Sequence, residues 1–176
     1  RRQRQMCIRD RFIGVPVEGL EEGKNFYQLL SNRKFPIGNF IRDPKDIGYT
    51  PAPDVIHDLY GHLPFLTHQP YADFCQKFGE LASRYSHDES LLVQCERLFW
   101  FTVEFGLIRT DQGVRIFGAG IASSYEECEY ALSARPEVLP FDLNAIRYNP
   151  YRIDEFQKRL YPVSYTHLTL PTIVSV

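Results

Sequence analysis

The sequence predicts one mainly α domain with a few short strands. Three observations carry this. Four stretches space their apolar residues at helical intervals, two short runs have strand composition, and no repeat, low-complexity tract or Gly/Ser linker divides the chain. A body of about 150 residues suffices for one domain with a core of its own.

The elements follow in chain order. "GLEEGKNFYQLLSNRKF" places apolar residues at 26, 29 and 30 with charges between them and reads as an amphipathic helix. "FPIGNFI" is a short strand after Pro36. "RDPKDIGYTPAPD", with three prolines and a glycine, is a loop. Asp54 follows Pro53 and precedes an apolar-rich run, which marks a helix start. "PYADFCQKFGELASRYS" and "SLLVQCERLFWFTVEFGL" both have helical spacing, the second being the more apolar. "VRIFG" is a short strand. "SSYEECEYALS" opens with serine caps and carries Glu127 three residues after Ser124, the pattern of a capping box. "LPFDLNAIRYNPYRIDEFQKRLY" mixes short extended pieces with turns.

The two ends do not continue these patterns. The codons CGT CGG CAG CGT CAG ATG TGT ATA AGA GAC translate as the opening "RRQRQMCIRD". The reverse complement of that oligonucleotide with a trailing AG, read two bases on, translates as "VSYTHLTLPT" near the other end. One shared oligonucleotide is not expected of two unrelated native segments, and it resembles a translated transposase-type sequencing adapter. Residues 1–11 and 163–176 are therefore expected to be adapter-derived tails, excluded from fold reasoning. Residues 12–162 then form the domain, cut at both ends by library preparation.

Excluding the tails removes five arginines and one aspartate from the 20 Lys+Arg and 22 Asp+Glu, leaving 15 against 21 and a net charge of −6. Such an acidic body gives no reason to expect nucleic acid as a partner. No apolar run approaches the ~20 residues of a membrane span, and no secretory leader is visible. Cys75, Cys95 and Cys128 are odd in number and lack paired spacing. They read as small apolar fillers in a reducing compartment, hence a cytoplasmic protein, and not as a zinc knuckle.

"PDVIHDLYGHLPF" poses the chemical question. His57 and His62 are five apart, which on a regular helix sets them roughly 140° apart around the axis. Gly61 and Pro64 are helix-ending residues, and a helix that distorts or stops there frees His62 from the opposite face. Two imidazoles and one carboxylate on one side of an ion, with open positions opposite, is the arrangement of non-haem iron(II) oxygenases. In "LFWFTVEFGL", Glu104 is the only charge among nine apolar or small neighbours. A buried carboxylate without a partner costs several kcal/mol or shifts its pKa strongly, so a cation or an arginine, such as Arg97 seven residues back, must offset it.

Taken together and in this order, "PDVIHDLYGHLPF", "FWFTVEFGL", "FGAGIASSYEE" and "YRIDEF" resemble the pterin-dependent aromatic amino acid hydroxylases, nearest to the single-domain bacterial type. The resemblance covers nearly all of residues 12–162. It implies the catalytic-domain fold of that family, truncated at its N-terminus, and a monooxygenase using iron(II), a tetrahydropterin such as tetrahydrobiopterin, and O2. It implies His57, His62 and Glu104 as metal ligands, with Asp58 hydrogen-bonding the pterin or its waters and acting with Glu104 as catalytic residues. Phe26 would stack on the pterin. Arg42 would clamp the carboxylate of the amino acid, a task suited to the guanidinium fork. Its other reading is a loop salt bridge with Asp43 or Asp46. Thr50, Pro51 and Pro53 would line the substrate site, Trp100 and Phe105 surround the aromatic ring, and Ser123 lie near the amino acid end. Core packing is the alternative for the aromatic residues.

The implied partner is a small aromatic amino acid, most directly phenylalanine converted to tyrosine. Trp100 disfavours tryptophan, since tryptophan-hydroxylating members tend to carry phenylalanine there; tyrosine as substrate stays open. The oligomeric state is not set by the sequence, and a monomer is compatible with it. Two departures from the family pattern stand out. Phe99 occupies the place of a usual tyrosine, so any hydrogen bond from that hydroxyl is lost, and the N-terminal part of the catalytic domain is absent. Two readings of other classes are a zinc hydrolase using the same site with Asp58 as general base, and a non-catalytic fragment in which His57, His62 and Glu104 lie apart.

Overall fold

The computed structural model describes residues 11–48, 50 and 52–164, and its architecture is mainly α with short strands. Strand β1 (Ile13–Val17) leads to helix α1 (Gly23–Ser31) and returns to β2 (Lys34–Gly38), which pairs parallel with β1, Ile13 opposite Lys34. The expected helix and strand in this region are both present, and β1 is an addition to them. The proline-rich loop follows, holding only a 3-10 turn at Pro44–Asp46 whose cap is Asp43.

Short helices α2 (Val55–His57) and α3 (Leu63–Leu66) flank a five-residue π turn, Asp58–His62. Helix α4 (Gln69–Arg84) packs against α1, and α5 (Glu89–Phe99) runs directly into a second π turn, Trp100–Glu104. The α1 and α4 apolar faces meet in an aromatic core of Tyr27, Phe74, Phe78, Phe99 and Phe101, all buried. Asp88 caps α5 by accepting from the Leu91 N–H at 3.0 Å.

Strand β3 (Leu107–Thr110) pairs antiparallel with β4 (Gly113–Ile116). Helix α6 (Ala119–Ala122) packs against both π turns, and α7 (Tyr125–Ala131) packs on α6. The C-terminal stretch corrects the sequence reading in one respect. Asp142 accepts from the Asn144 and Ala145 N–H groups and nucleates a helix, α8 (Leu143–Tyr148), that packs on α5. A single cap plus a docking face won over weak periodicity. Two further pairings close the domain: β5 (Glu137–Val138) with β6 (Arg159–Leu160), and β3 with β7 (Pro162–Val163). Val163, the first residue assigned to the C-terminal tail, is buried and pairs with Ile108. Residues 1–10 and 165–176 lie outside the described residues.

Cys75, Cys95 and Cys128 are free thiols, the first two buried. Among the described residues no helix is long and apolar enough to cross a membrane.

Candidate metal centre and active site

The five-residue spacing of the histidines has a local explanation. Between them the backbone widens to a π turn, in which the Leu63 N–H donates to the Asp58 carbonyl instead of to that of Leu59, its regular α-helical partner. A turn closed at i→i+5 stacks residue 62 nearly over residue 57 and brings both rings to one side. The sequence reading had the helix distort or stop near Gly61 and Pro64, and it distorts. The helix in fact continues through α3, and Gly61 serves a different need: a β-carbon there would approach the Ala119 β-carbon to 2.7 Å. Glycine at 61 lets α6 press against the π turn.

The carboxylate arrives by the same device. At the end of α5 the Phe105 N–H donates to the Trp100 carbonyl at 2.7 Å, closing the second π turn, whose last residue is Glu104. The result is convergence. His57 Nε2 and His62 Nε2 are 3.0 Å apart. The Glu104 carboxylate oxygens lie 3.5 Å from His57 Nε2 and 3.2 Å from His62 Nε2. Ligands held about 2.1–2.2 Å from one ion at right angles stand about 3 Å apart, so these separations fit one triangular face of an octahedron. The non-catalytic reading required the three to lie apart; they do not.

Electrostatics match a cation site. Burial lowers the His57 pKa, reinforced by the neighbouring His62, to about 4, which leaves a neutral lone-pair donor. Burial works against charge on His62 too, but Glu104 outweighs it and raises its pKa. For Glu104 burial alone would raise the pKa, and the two imidazoles overcome it, holding the carboxyl ionised. His57 Nδ1 lies 2.9 Å from Ser123 Oγ, which is itself 3.2 Å from the Gly120 carbonyl. With Nε2 aimed at the centre, Nδ1 carries the proton and donates to Ser123, whose hydroxyl donates on to Gly120. That second contact fixes the tautomer.

One pocket opens onto these groups and also takes in Phe26, Arg42, Thr50, Pro53, Asp58, Trp100, Phe105 and Ser123. The structure thus brings together every sequence-predicted site residue except Pro51, which lies outside the described residues. Asp58 is buried, accepts from the Gly38 N–H at 2.7 Å, and is pushed up to about 6, chiefly by burial. Thr50 Oγ1 donates to the Ala52 carbonyl. Phe26 meets Phe99 edge-on at 5.1 Å, so the phenylalanine at 99 keeps the ring contact that its missing hydroxyl leaves untouched. Trp100 lies against Phe105 at 4.6 Å and is stacked on Tyr151 at 4.3 Å.

Arg42 reaches the pocket by a route the sequence did not indicate. Its partner is neither Asp43 nor Asp46 but Asp54, which is fully buried. Arg42 Nε and Nη2 donate to the two Asp54 oxygens at 2.9 and 2.7 Å, and Nη1 donates to the Ser123 carbonyl at 2.9 Å. Three of five guanidinium N–H groups are engaged, leaving one on each Nη. Asp54 also caps α2 by accepting from the His57 N–H. Burial opposes its charge, yet the Arg42 bonds lower its pKa to about 2. The sequence marked Asp54 only as a helix start.

Glu127 likewise departs from expectation. Ser124 Oγ accepts from its N–H at 3.2 Å, but the Ser124 N–H donates to the Ile121 carbonyl, so the return half of the capping box is absent. The Glu127 carboxylate instead lines the pocket, buried, its pKa pushed up to about 8 by that burial.

Comparison with known proteins defines the class. A family model described as biopterin-dependent aromatic amino acid hydroxylase matches residues 8–168, and the chain belongs to that family. The phenylalanine-4-hydroxylase of Caulobacter vibrioides is 44% identical over 145 residues, which are 82% of this chain and 49% of that protein. The crystal structure of phenylalanine hydroxylase from Chromobacterium violaceum, with bound iron(III) and the oxidised cofactor 7,8-dihydrobiopterin, superposes with a TM-score of 0.85 at 39% identity. It covers 94% of this chain and 61% of that one. The enzyme of Legionella pneumophila gives a TM-score of 0.87 at 33% identity, covering 98% of this chain and 74% of its own. The chain spans about half the length of the curated relatives it matches. None of these supports the zinc hydrolase reading.

Proposed function

We propose that the chain is the catalytic portion of an iron(II)- and tetrahydropterin-dependent monooxygenase that hydroxylates the ring of an aromatic amino acid, phenylalanine to tyrosine. The observation that carries this is the convergence of two neutral-capable imidazoles and one carboxylate, with 3.0–3.5 Å between donor atoms, at the wall of an aromatic-lined pocket. Residues 12–162 form this portion, with 1–11 and 163–176 read as adapter-derived. The partner is a small amino acid in the cytoplasm.

His57, His62 and Glu104 would hold the metal; bound together, iron and reduced pterin supply O2 activation and the two electrons the reaction needs. The chain's residues bind, orient and exclude water. Ser123 keeps the His57 Nδ1 proton in place and so presents the Nε2 lone pair. Asp58, one oxygen tied to the Gly38 N–H, keeps the other for the pterin or its waters, and Phe26 offers its ring as a stacking face. Arg42, pinned by Asp54, offers its two remaining N–H groups to the amino acid carboxylate, with Thr50, Pro51 and Pro53 beside it. Trp100 and Phe105 exclude water from around the substrate ring.

The test is anaerobic iron loading of the protein, then tetrahydrobiopterin and oxygen with phenylalanine, tyrosine or tryptophan, in both this chain and a version extended from the source gene. Tyrosine formation from phenylalanine that needs both iron and pterin is expected of the extended protein. Turnover with zinc alone, or none with any amino acid, overturns the proposal.

A further inference from the structure

One charged group in the pocket has no task in the mechanism above. Glu96 sits on α5 four residues before Trp100 and three before Phe99, so it shares their pocket-facing side. Its carboxylate lies against Gly23, the first residue of α1, where any side chain would collide with it. A side chain at 23 would require this carboxylate to shift. Among the described residues the Glu96 carboxylate makes no hydrogen bond or ion pair. The nearest cation along the helix, Arg97, acts on it only through space and donates instead to the Arg147 carbonyl at 3.3 Å. Tyr27 and Tyr151 feel its charge, the pocket wall it shares includes Leu20, Phe26 and Phe99, and burial raises the Glu96 pKa. A half-buried carboxylate walled by rings is costly until donors reach it.

We propose that Glu96 is a cofactor-specificity residue whose carboxylate accepts hydrogen bonds from the donor groups of the bound pterin. The inference rests on the pterin reading above. Contacts place Glu96 in the right arm of the pocket: the His62 ring packs on Phe35 at 4.5 Å, Phe35 on Phe26 at 6.1 Å, and Phe26 on Phe99, one helical turn from Glu96. Flat rings there suit a planar heterocycle, and a pterin brings two kinds of donor. Its pyrimidine edge offers an N–H and an amino group side by side, a match for two carboxylate oxygens. Biopterins also carry side-chain hydroxyls. Either source gives the carboxylate the donors it lacks within the chain.

The experiment is calorimetric titration of the metal-loaded chain, without oxygen, using 7,8-dihydrobiopterin and 6-methyl-7,8-dihydropterin, which lacks the hydroxyls. Glu96→Ala is expected to weaken dihydrobiopterin binding about 10-fold or more, the scale of a charge-assisted hydrogen bond. Equal weakening of both ligands assigns the contact to the ring edge, and weakening of dihydrobiopterin alone assigns it to the hydroxyls. Glu96→Gln keeps the shape and one acceptor and is expected to fall between. It carries the test if the alanine variant fails to fold, and a Gln affinity matching the unsubstituted chain then overturns the proposal. Affinities within twofold for the folded alanine variant, or tighter binding, also overturn it. If the unsubstituted chain binds neither pterin, the pterin reading falls first and this inference with it.

Discussion

The two arms of the pocket are built by opposite means. Around Arg42 the polar atoms are tied to one another: both Asp54 oxygens, the Ser123 carbonyl and hydroxyl, and the His57 N–H and Nδ1 all have partners inside the chain. Around Glu96 the walls are rings and a glycine, and the carboxylate is left without a bond among the described residues. The difference teaches where this fold places its rigidity. The arm assigned to the amino acid is organised before any ligand arrives, whereas the arm assigned to the pterin leaves a polar demand for its ligand to meet.

The three proposed metal ligands join both arms, so their removal should have the largest effect on the site. His62→Ala is expected to lower iron affinity by more than about 100-fold, beyond the ~10–100-fold typical of losing a supporting contact. Ser123→Ala, which removes only such a contact on His57, should fall inside that smaller range. Equilibrium dialysis with atomic absorption reads both. Near-stoichiometric iron in the His62 variant would place the metal elsewhere.

Truncating one carboxylate in each arm tests the contrast directly. Asp54→Ala strands the buried Arg42 charge and uncaps α2, at an expected cost of about 3–5 kcal/mol in urea unfolding. Glu96→Ala breaks no side-chain hydrogen bond or ion pair among the described residues and should cost under about 1 kcal/mol. Similar costs at the two positions would erase the distinction drawn above.

Glu127 supplies a pH signature for a third carboxylate, one buried without its own cation. Its folded pKa of about 8 exceeds the unfolded value of 4.5. The folded state therefore binds the extra proton, and the stability this brings is full below about pH 4.5 and lost as pH rises through about 8. With one proton at stake, stability should fall by roughly 1.4 kcal/mol per pH unit, or about 2–3 kcal/mol between pH 6 and 8. Glu127→Gln should flatten that slope in melts taken across the range, and parallel slopes for the two proteins would show that Glu127 ionises freely.

These contrasts also mark what was legible in the sequence. The mainly α class, four of the helices and the meeting of His57, His62 and Glu104 could be read, because periodicity and an isolated charge are local signals. Glu104 announced itself by standing alone among apolar neighbours. Asp54 did not, since its place at a helix start gave no hint that it would take Arg42, twelve residues back, in preference to Asp43 or Asp46. Pairing across a proline-rich loop is decided by the path of the chain. The π turns were half legible: the five-residue spacing demanded a distortion, but its form depends on α6 pressing on Gly61. Glu127 was read as a capping residue and Glu96 carried no signal of its own; only packing turned them inward.

The last test bears on the organised arm itself. Arg42→Lys keeps a positive charge near Asp54 but cannot reproduce the paired Nε and Nη2 bonds, nor reach Ser123 with the same planar fork. If the two free N–H groups of Arg42 hold the amino acid carboxylate, the extended enzyme should lose about 1.5–3 kcal/mol of amino acid binding, or about 10- to 150-fold. Iron content and pterin affinity should stay near those of the unsubstituted enzyme, because neither ligand set includes Arg42. Titration with phenylalanine in the presence of iron and dihydropterin separates these quantities. Unchanged amino acid affinity, with a loss of stability alone, would make Arg42 purely the structural partner of Asp54 and move the carboxylate anchor elsewhere in the arm.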